Sequence, residues 1–145
     1  MFSKDFKEFI ELLNANKVEY LIVGGYAVGI HGYPRYTGDI DIWINPDKQY
    51  IKKMTKVLED FGFASKEINE SDIQNRDNIF RIGNPPYRID IMTEIDGVTF
   101  NECYPNKIEK EIDNVKMYFI GYADLIRNKK ASGRRQDLLD LENLE

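Results

Sequence analysis

The stretch that decides the fold is IVGGYAVGIHGYPRYTGDIDIWI, residues 22–44. An apolar run stops at Gly24-Gly25. After thirteen further residues come Asp39 and Asp41, each followed by isoleucine, inside what is otherwise a hydrophobic strand. In an extended chain, residues two apart point the same way. Asp39, Asp41 and Trp43 therefore share one face, while Ile40, Ile42 and Ile44 share the other and pack on helices. A second segment, YRIDIM at residues 87–92, alternates in the same manner. Arg88, Asp90 and Met92 take one face and Ile89 and Ile91 the opposite one. If these two strands are neighbours, three carboxylates meet on one patch of sheet.

Such a meeting is costly without compensation. Two carboxylates ~4 Å apart repel by roughly 4 kcal/mol at an effective dielectric of 20. Protonation relieves this by raising one pKa. A divalent cation relieves it too, and brings chemistry. Carboxylate oxygens suit magnesium, which keeps several waters and takes its other ligands from substrate phosphates. Two metals sharing carboxylates form a clamp for in-line phosphoryl displacement. The Gly24-Gly25 turn between strand and helix offers backbone N–H groups that phosphates can approach closely, because glycine has no side chain in the way.

Outward from this unit, residues 3–16 read as a helix with Phe6, Phe9, Ile10 and Leu13 on one face. VEYLIVGG is a strand ending at the glycines, and YAVGIHG is a short helix. NPDKQYIKKMTKVLEDFG is the strongest helix, with Asn45 as cap, Pro46 in the first position, Asp47 at the positive end and Gly62 at the stop. NIFRIG and YRIDIMTEI form a hairpin through NPP. VKMYFI is a short strand, and the C-terminal residues form two helices broken at Gly133. Residues 98–115 give no clear pattern. The expectation is an α/β fold of the α+β type, with a mixed sheet packed against helices and C-terminal helices.

Bulk composition narrows the function classes. The chain of 145 residues is expected to be a single domain, residues 1–145. Its net charge of -5 argues against a plain nucleic-acid binder living on phosphate-backbone affinity. The lone cysteine, Cys103, rules out an internal disulfide and any site with several thiolates. The N-terminal MFSKDFKEFIELL is amphipathic and charged, unlike a signal peptide, and no apolar run approaches the ~20 residues of a membrane span. A cytoplasmic protein without membrane contact is expected.

Gly24-Gly25, then Asp39 and Asp41, then Asp90 resemble the signature of the nucleotidyltransferase superfamily with the DNA polymerase beta fold. More narrowly, GGYAVGIHGYPRYTGDIDIWI is similar to the small bacterial members, with Gly-Gly, His-Gly, Arg-x-Thr and Asp-Ile-Asp in that order. The C-terminal ADLIRNKKASGRRQDLLDLENL also fits these proteins and the related abortive-infection nucleotidyltransferase toxins. The likeness covers nearly the whole chain, least specifically over residues 64–78 and 98–115.

The resemblance implies that Asp39 and Asp41 hold two magnesium ions, or manganese in their place, under a nucleoside triphosphate. Asp90 binds the second metal and orients or deprotonates the acceptor hydroxyl. The Gly24-Gly25 turn holds the β- and γ-phosphates. By position, Lys129 matches the family lysine that reaches the nucleotide phosphates, and Asp137 matches the acid after Gly-Arg. Larger relatives carry a long helical domain for the acceptor, which is not seen here, so the acceptor stays open.

Several other candidates have more than one reading. His31, the sole histidine, is either a satisfied structural residue at a helix end or a nucleotide or acceptor contact. Arg35 either binds phosphate in a bidentate way or pairs with one of the aspartates. Thr37 bonds a phosphate or shapes the turn before the strand. Arg88 is a counter-ion of the acidic strand or a substrate ligand. The cluster of Arg127, Lys129, Lys130, Arg134 and Arg135 is a solvated helix face, a neutraliser of triphosphate or an RNA attractant. Trp43 packs at the sheet end, and Cys103 is inert.

The expected function is transfer of a nucleoside monophosphate from a nucleoside triphosphate to a hydroxyl. The acceptor is RNA such as a tRNA end, a small molecule, or a protein partner as in a toxin–antitoxin or phage-defence system. The competing class is a nucleotide- or partner-binding module that keeps the fold without the chemistry. A third is a structural domain whose acids solvate a sheet face.

Overall fold

Helix α1 (Lys4–Ala15) starts where the Ser3 hydroxyl accepts a hydrogen bond from the Phe6 amide at 3.1 Å. That bond satisfies one of the N–H groups a helix start leaves without a partner. The buried face of α1 is Phe6, Phe9, Ile10 and Leu13, the positions its periodicity selects. The computed structural model describes residues 2–62, 70–74, 79–84 and 87–145.

Strand β1 (Tyr20–Val23) is buried along its whole length, as expected of a strand covered on both faces. Helix α2 (Gly24–Ile30) follows without a loop. Next come β2 (Asp39–Ile44), α3 (Lys48–Phe61), α4 (Glu70–Gln74), β3 (Phe80–Asn84) and β4 (Tyr87–Met92). The chain continues through α5 (Phe100–Cys103), β5 (Ile108–Ile112), β6 (Val115–Phe119), α6 (Tyr122–Ser132) and α7 (Arg135–Leu144).

The strands form one six-stranded sheet in the order β3-β4-β2-β1-β6-β5. Neighbours β1/β2, β3/β4 and β5/β6 are antiparallel, whereas β1/β6 and β2/β4 are parallel. The mixed sheet packed against helices is the expected architecture. Ile40, Ile42 and Ile44 of β2 are fully buried, joined in the core by Phe9 and Leu13 of α1 and by Met54 and Leu58 of α3. Phe9 meets Phe61 edge-on at 5.2 Å, which ties α1 to the end of α3.

Strand β1 stops at the glycines as expected: Gly24 already lies at φ +67° and opens α2. One local expectation changes. Helix α3 is capped by Asp47, not Asn45, since the Asp47 carboxylate accepts from the Gln49 amide at 3.2 Å. The Asn45 side chain is used instead to close the turn, accepting from the Asp47 amide and donating to Glu19, both at 2.9 Å. Strand β5 went unseen because its centre, Glu109–Lys110–Glu111, is a run of charges. Those charges suit an edge strand exposed to water. The Asp113-Asn114 turn into β6 has φ +52° and +67°, the pair of positive values that a tight hairpin requires.

The hairpin of β3 and β4 is present, with Asn84 opposite Tyr87. Its turn residues Pro85 and Pro86, and the expected strand start at Asn78, lie outside the described residues. Gly62 (φ +121°) ends α3 and Gly133 (φ +60°) ends α6, each as expected. Among the described residues, no helix is long and apolar enough to cross a membrane.

Candidate active site

The acidic patch is set by strand register. Parallel β2 and β4 place Asp41 opposite Asp90 and Asp39 opposite Arg88. On the far side of β4, antiparallel β3 places Arg81 opposite Asp90. Residues opposite one another on neighbouring strands share a face. One row therefore reads Arg81, Asp90, Asp41, and the next holds Arg88 and Asp39. The Arg81 guanidinium grips Asp90, with Nε to Oδ1 at 2.9 Å and Nη2 to Oδ2 at 3.4 Å. Arg88 grips Asp39 through Nε at 3.3 Å and Nη2 at 3.2 Å.

Asp41 has no such partner: among the described residues it makes no hydrogen bond or ion pair. Burial pushes its pKa up to about 7, helped by the negative charges of Asp90 and Asp39 and opposed by Lys129 and Arg134. Near neutral pH this carboxyl is balanced between proton and charge.

The glycines make room for it. A Cβ on Gly24 would overlap the Asp41 carboxylate, and the positive φ there already favours glycine. A Cβ on Gly25 would come within 2.8 Å of Thr37 Oγ1. The Thr37 hydroxyl donates to the Asp39 carbonyl at 3.1 Å, so Thr37 shapes the entry to β2 while packing against the glycine pair. These groups line one wall of a cleft of about 620 Å³, which also reaches Arg81, Lys129 and Arg134.

The opposite wall comes from the α6–α7 hairpin, and it is built on buried charge. Lys129 is 5% exposed and its ammonium contacts Asp137 at 2.9 Å and Asp140 at 3.1 Å. Asp137 also accepts from the Arg134 amide at 3.2 Å and from Arg134 Nε at 2.9 Å, which caps the start of α7. Asp140, fully buried, receives Arg35 Nε at 2.9 Å, Arg35 Nη2 at 3.0 Å and Gln136 Nε2 at 2.9 Å. Burial alone would raise the pKa of both acids. The bonds from Lys129 and Arg134 to Asp137, and from Arg35, Lys129 and Gln136 to Asp140, overcome it and hold both below the ordinary value.

Two expectations are corrected here. Lys129 is not part of a solvated basic face; it is the buried cation of a charge network that still lines the cleft. Arg35 does pair with an aspartate, but with Asp140 of the last helix rather than with the aspartates of β2. His31 sits at the end of α2 with Nε2 2.7 Å from the Ile120 carbonyl and its ring edge-on to Tyr122. Trp43 is buried against Phe100. Cys103 is buried, and burial followed by Asp124 pushes its pKa up to about 12.

Sequence reasoning missed Arg81 and Asp140. Both left a signal. A hairpin turning at Pro85-Pro86 pairs positions that place Arg81 across from Asp90. Asp137 and Asp140 are three apart, hence on one face of any helix that carries them.

As to a cation, among the described residues no three acidic, histidine or cysteine side chains surround a common metal position. Asp39 and Asp90 turn their oxygens to guanidiniums instead. The donor set nevertheless fits a hard cation in kind: carboxylates only, on one patch, with Asp41 unpartnered and its charge opposed by its neighbours.

Comparison with known proteins follows this geometry. The chain shares its fold with LnuA, a lincosamide antibiotic adenylyltransferase whose crystal structure holds lincomycin, at a TM-score of 0.64 and 19% identity, over 99% of this chain and 96% of that one. It likewise resembles a putative nucleotidyltransferase from Thermotoga maritima, at a TM-score of 0.62 and 15% identity, over 94% and 87% of the two chains. An antigenic nucleotidyltransferase-like protein from Paracoccidioides brasiliensis matches at a TM-score of 0.55 and 15% identity, over 99% and 77%. At these identities the likeness speaks to the fold. No curated protein matches the chain by sequence. Residues 3–145 match the family described as nucleotidyltransferase of unknown function (DUF6036), and the chain belongs to that family.

Proposed function

We propose that this chain transfers a nucleoside monophosphate from a nucleoside triphosphate to an acceptor hydroxyl. The acceptor oxygen forms a bond to the α-phosphorus, the bond from that phosphorus to the β-phosphate oxygen breaks, and pyrophosphate leaves. The observation that carries the reading is the placement of Asp41: in register with Asp90, two residues from Asp39, unpartnered, and seated against Gly24 at the cleft.

Asp39, Asp41 and Asp90 are the residues that would hold two Mg²⁺ ions, with Mn²⁺ as a substitute. Bound there, the cations would neutralise the charge that builds on the transferring phosphoryl group. Asp90, which lines the cleft, would also orient or deprotonate the acceptor hydroxyl. The bend at Gly24-Gly25 lines the cleft where the β- and γ-phosphates would lie, with Thr37 beside it. Lys129 of the α6–α7 wall and Arg35 of the loop before β2 line the cleft, their cations already oriented by Asp137 and Asp140. Catalysis of this kind is mostly positioning and charge stabilisation.

Of the acceptor classes, a small hydroxyl-bearing molecule is favoured over RNA or a protein partner. The support is the end-to-end match in length and fold to LnuA, whose structure holds such a molecule. Incubation with each nucleoside triphosphate labelled at the α-phosphate, Mg²⁺ and a bacterial cell extract tests both points. Label should move to a metabolite-sized product, and with Asp41→Asn the transfer should fall by about two orders of magnitude or more. Label in RNA or protein would overturn the acceptor class.

A second reading has one observation in its favour. Asp39 and Asp90 are both bound to arginine, which is how a nucleotide-binding module without chemistry would neutralise the patch. Calorimetry with ATP and Mg²⁺ separates the two. Tight binding with no pyrophosphate released in any extract would favour the silent module.

A further inference from the structure

Two arginines lie within the acidic patch, and holding strands together does not account for their placement. Both stand in register with the carboxylate they grip, Arg81 across β3–β4 and Arg88 across β2–β4. Their side chains are 51% and 33% exposed. The Arg88–Asp39 pair, exposed on both sides, contributes little to stability, with a median near 0–1 kcal/mol for such pairs, whereas Asp90, 6% exposed, depends on the half-exposed Arg81 for its counter-charge. What they do electrostatically is larger. Without them, the three carboxylates of the patch would face one another with no counter-charge on the same sheet face.

The guanidiniums cover the oxygens a cation would need. A divalent cation arriving between Asp41 and Asp90 makes the local charge positive, and Arg81 then repels it instead of compensating. Exchange is the low-cost outcome, because each arginine has water on one side to swing into. Arg81 lines the cleft, so its fork of donors would stay within the site when it lets go. Phosphate oxygens are the anions that such a planar fork meets best.

We propose that Arg81 and Arg88 are exchangeable counter-ions, which hold Asp90 and Asp39 before substrate arrives and yield them to divalent cation, Arg81 then turning to the phosphates of the nucleotide. The proposal rests on the cation reading of the site given above. Its consequence is coupling. Cation alone leaves the displaced guanidiniums with water in place of a carboxylate, whereas cation with triphosphate offers an anionic partner as well. The two ligands therefore bind together more tightly than either does alone, and the coupling is reciprocal.

The test is titration of the full chain with Mn²⁺, reading free Mn²⁺ by electron paramagnetic resonance. It is run with and without an ATP analogue whose α–β bridge cannot be cleaved. Wild type, Arg81→Gln, Arg88→Gln, the double variant and Asp41→Asn are compared, with thermal midpoints confirming that each is folded. Removing one exposed arginine should tighten binding of Mn²⁺ alone by roughly fivefold, the upper end for an exposed pair. The gain in Mn²⁺ affinity on adding nucleotide should shrink by a similar factor. A strand-holding role alone would move the thermal midpoint and leave both Mn²⁺ readings in place. Unchanged or weaker Mn²⁺ binding by the glutamine variants, with Asp41→Asn abolishing it, overturns the exchange and leaves the cation reading standing. No Mn²⁺ binding by wild type even with nucleotide, or equal binding by Asp41→Asn, overturns both.

Discussion

Asp41 on β2 stands opposite Asp90 on the parallel strand β4, and of the two it is Asp90 that has an arginine for a partner. This asymmetry fixes the character of the site. Asp90 stays compensated through Arg81, while Asp41 carries the unbalanced charge of the patch, half-buried against Gly24. A group in that position has three ways to lose its strain: bind a proton, bind a cation, or lose its carboxylate by mutation.

The first way predicts a pH dependence. The Asp41 pKa is raised from 3.8 to about 7, by burial first and by Asp90 and Asp39 next. A carboxyl whose folded pKa is raised holds its proton in the folded chain after the unfolded chain has released it. It thus favours the fold fully below about pH 4, and that contribution fades as pH climbs to about 7 and is flat above. At ~1.4 kcal/mol per unit the fade amounts to roughly 4 kcal/mol as an upper figure. Urea unfolding at a series of pH values in the absence of divalent cation should show it, and Asp41→Asn should flatten that part of the profile.

Gly24→Ala tests the close approach. The new methyl group would occupy the space of the Asp41 carboxylate, on a backbone at φ +67°. Loss of about 1–3 kcal/mol of stability is expected from the backbone alone, together with loss of nucleotidyl transfer. Thermal denaturation and label transfer measure the two. A variant as stable and active as wild type would mean that the β1–α2 bend is more accommodating than its geometry shows.

Lys129→Met tests the buried network. It leaves Asp137 and Asp140 short of the cation they share, and breaking a buried pair of this kind costs about 3–5 kcal/mol. Adding Asp140→Asn should recover part of the loss, because residues in one network are not additive. Urea midpoints of the single and double variants give the comparison.

His31→Ala should separate structure from chemistry. With Nε2 bonded to the Ile120 carbonyl, its removal should cost about 1 kcal/mol of stability. Transfer per folded molecule should stay at the wild-type rate. A rate that falls by more than tenfold in fully folded protein would place His31 in contact with nucleotide or acceptor.

Much of this site was legible in the sequence because strands write their faces into alternate positions. DIDIWI and YRIDIM each put their acids on one face, and that suffices to make them meet once the strands are neighbours. What could not be read was pairing across elements far apart in the chain. Arg35 and Asp140 are separated by 105 positions, and nothing local to either points to the other. The last helix misleads for the same reason: it buries Asp137 and Asp140 and exposes Leu138 and Leu139. A hydrophobic periodicity therefore selects the wrong face. Strand β5 was hidden because an edge strand in water needs no apolar alternation.

The most direct test of the central claim is cation-dependent transfer of α-phosphate label from nucleoside triphosphate, with cell extract as the source of acceptor, in wild type and Asp41→Asn. The account predicts transfer by wild type that stops when EDTA removes the cation. It also predicts a fall of about two orders of magnitude or more in the folded variant, given the share of such catalysis that rests on charge stabilisation. Transfer that survives EDTA, or an Asp41→Asn protein working at the wild-type rate, would contradict it.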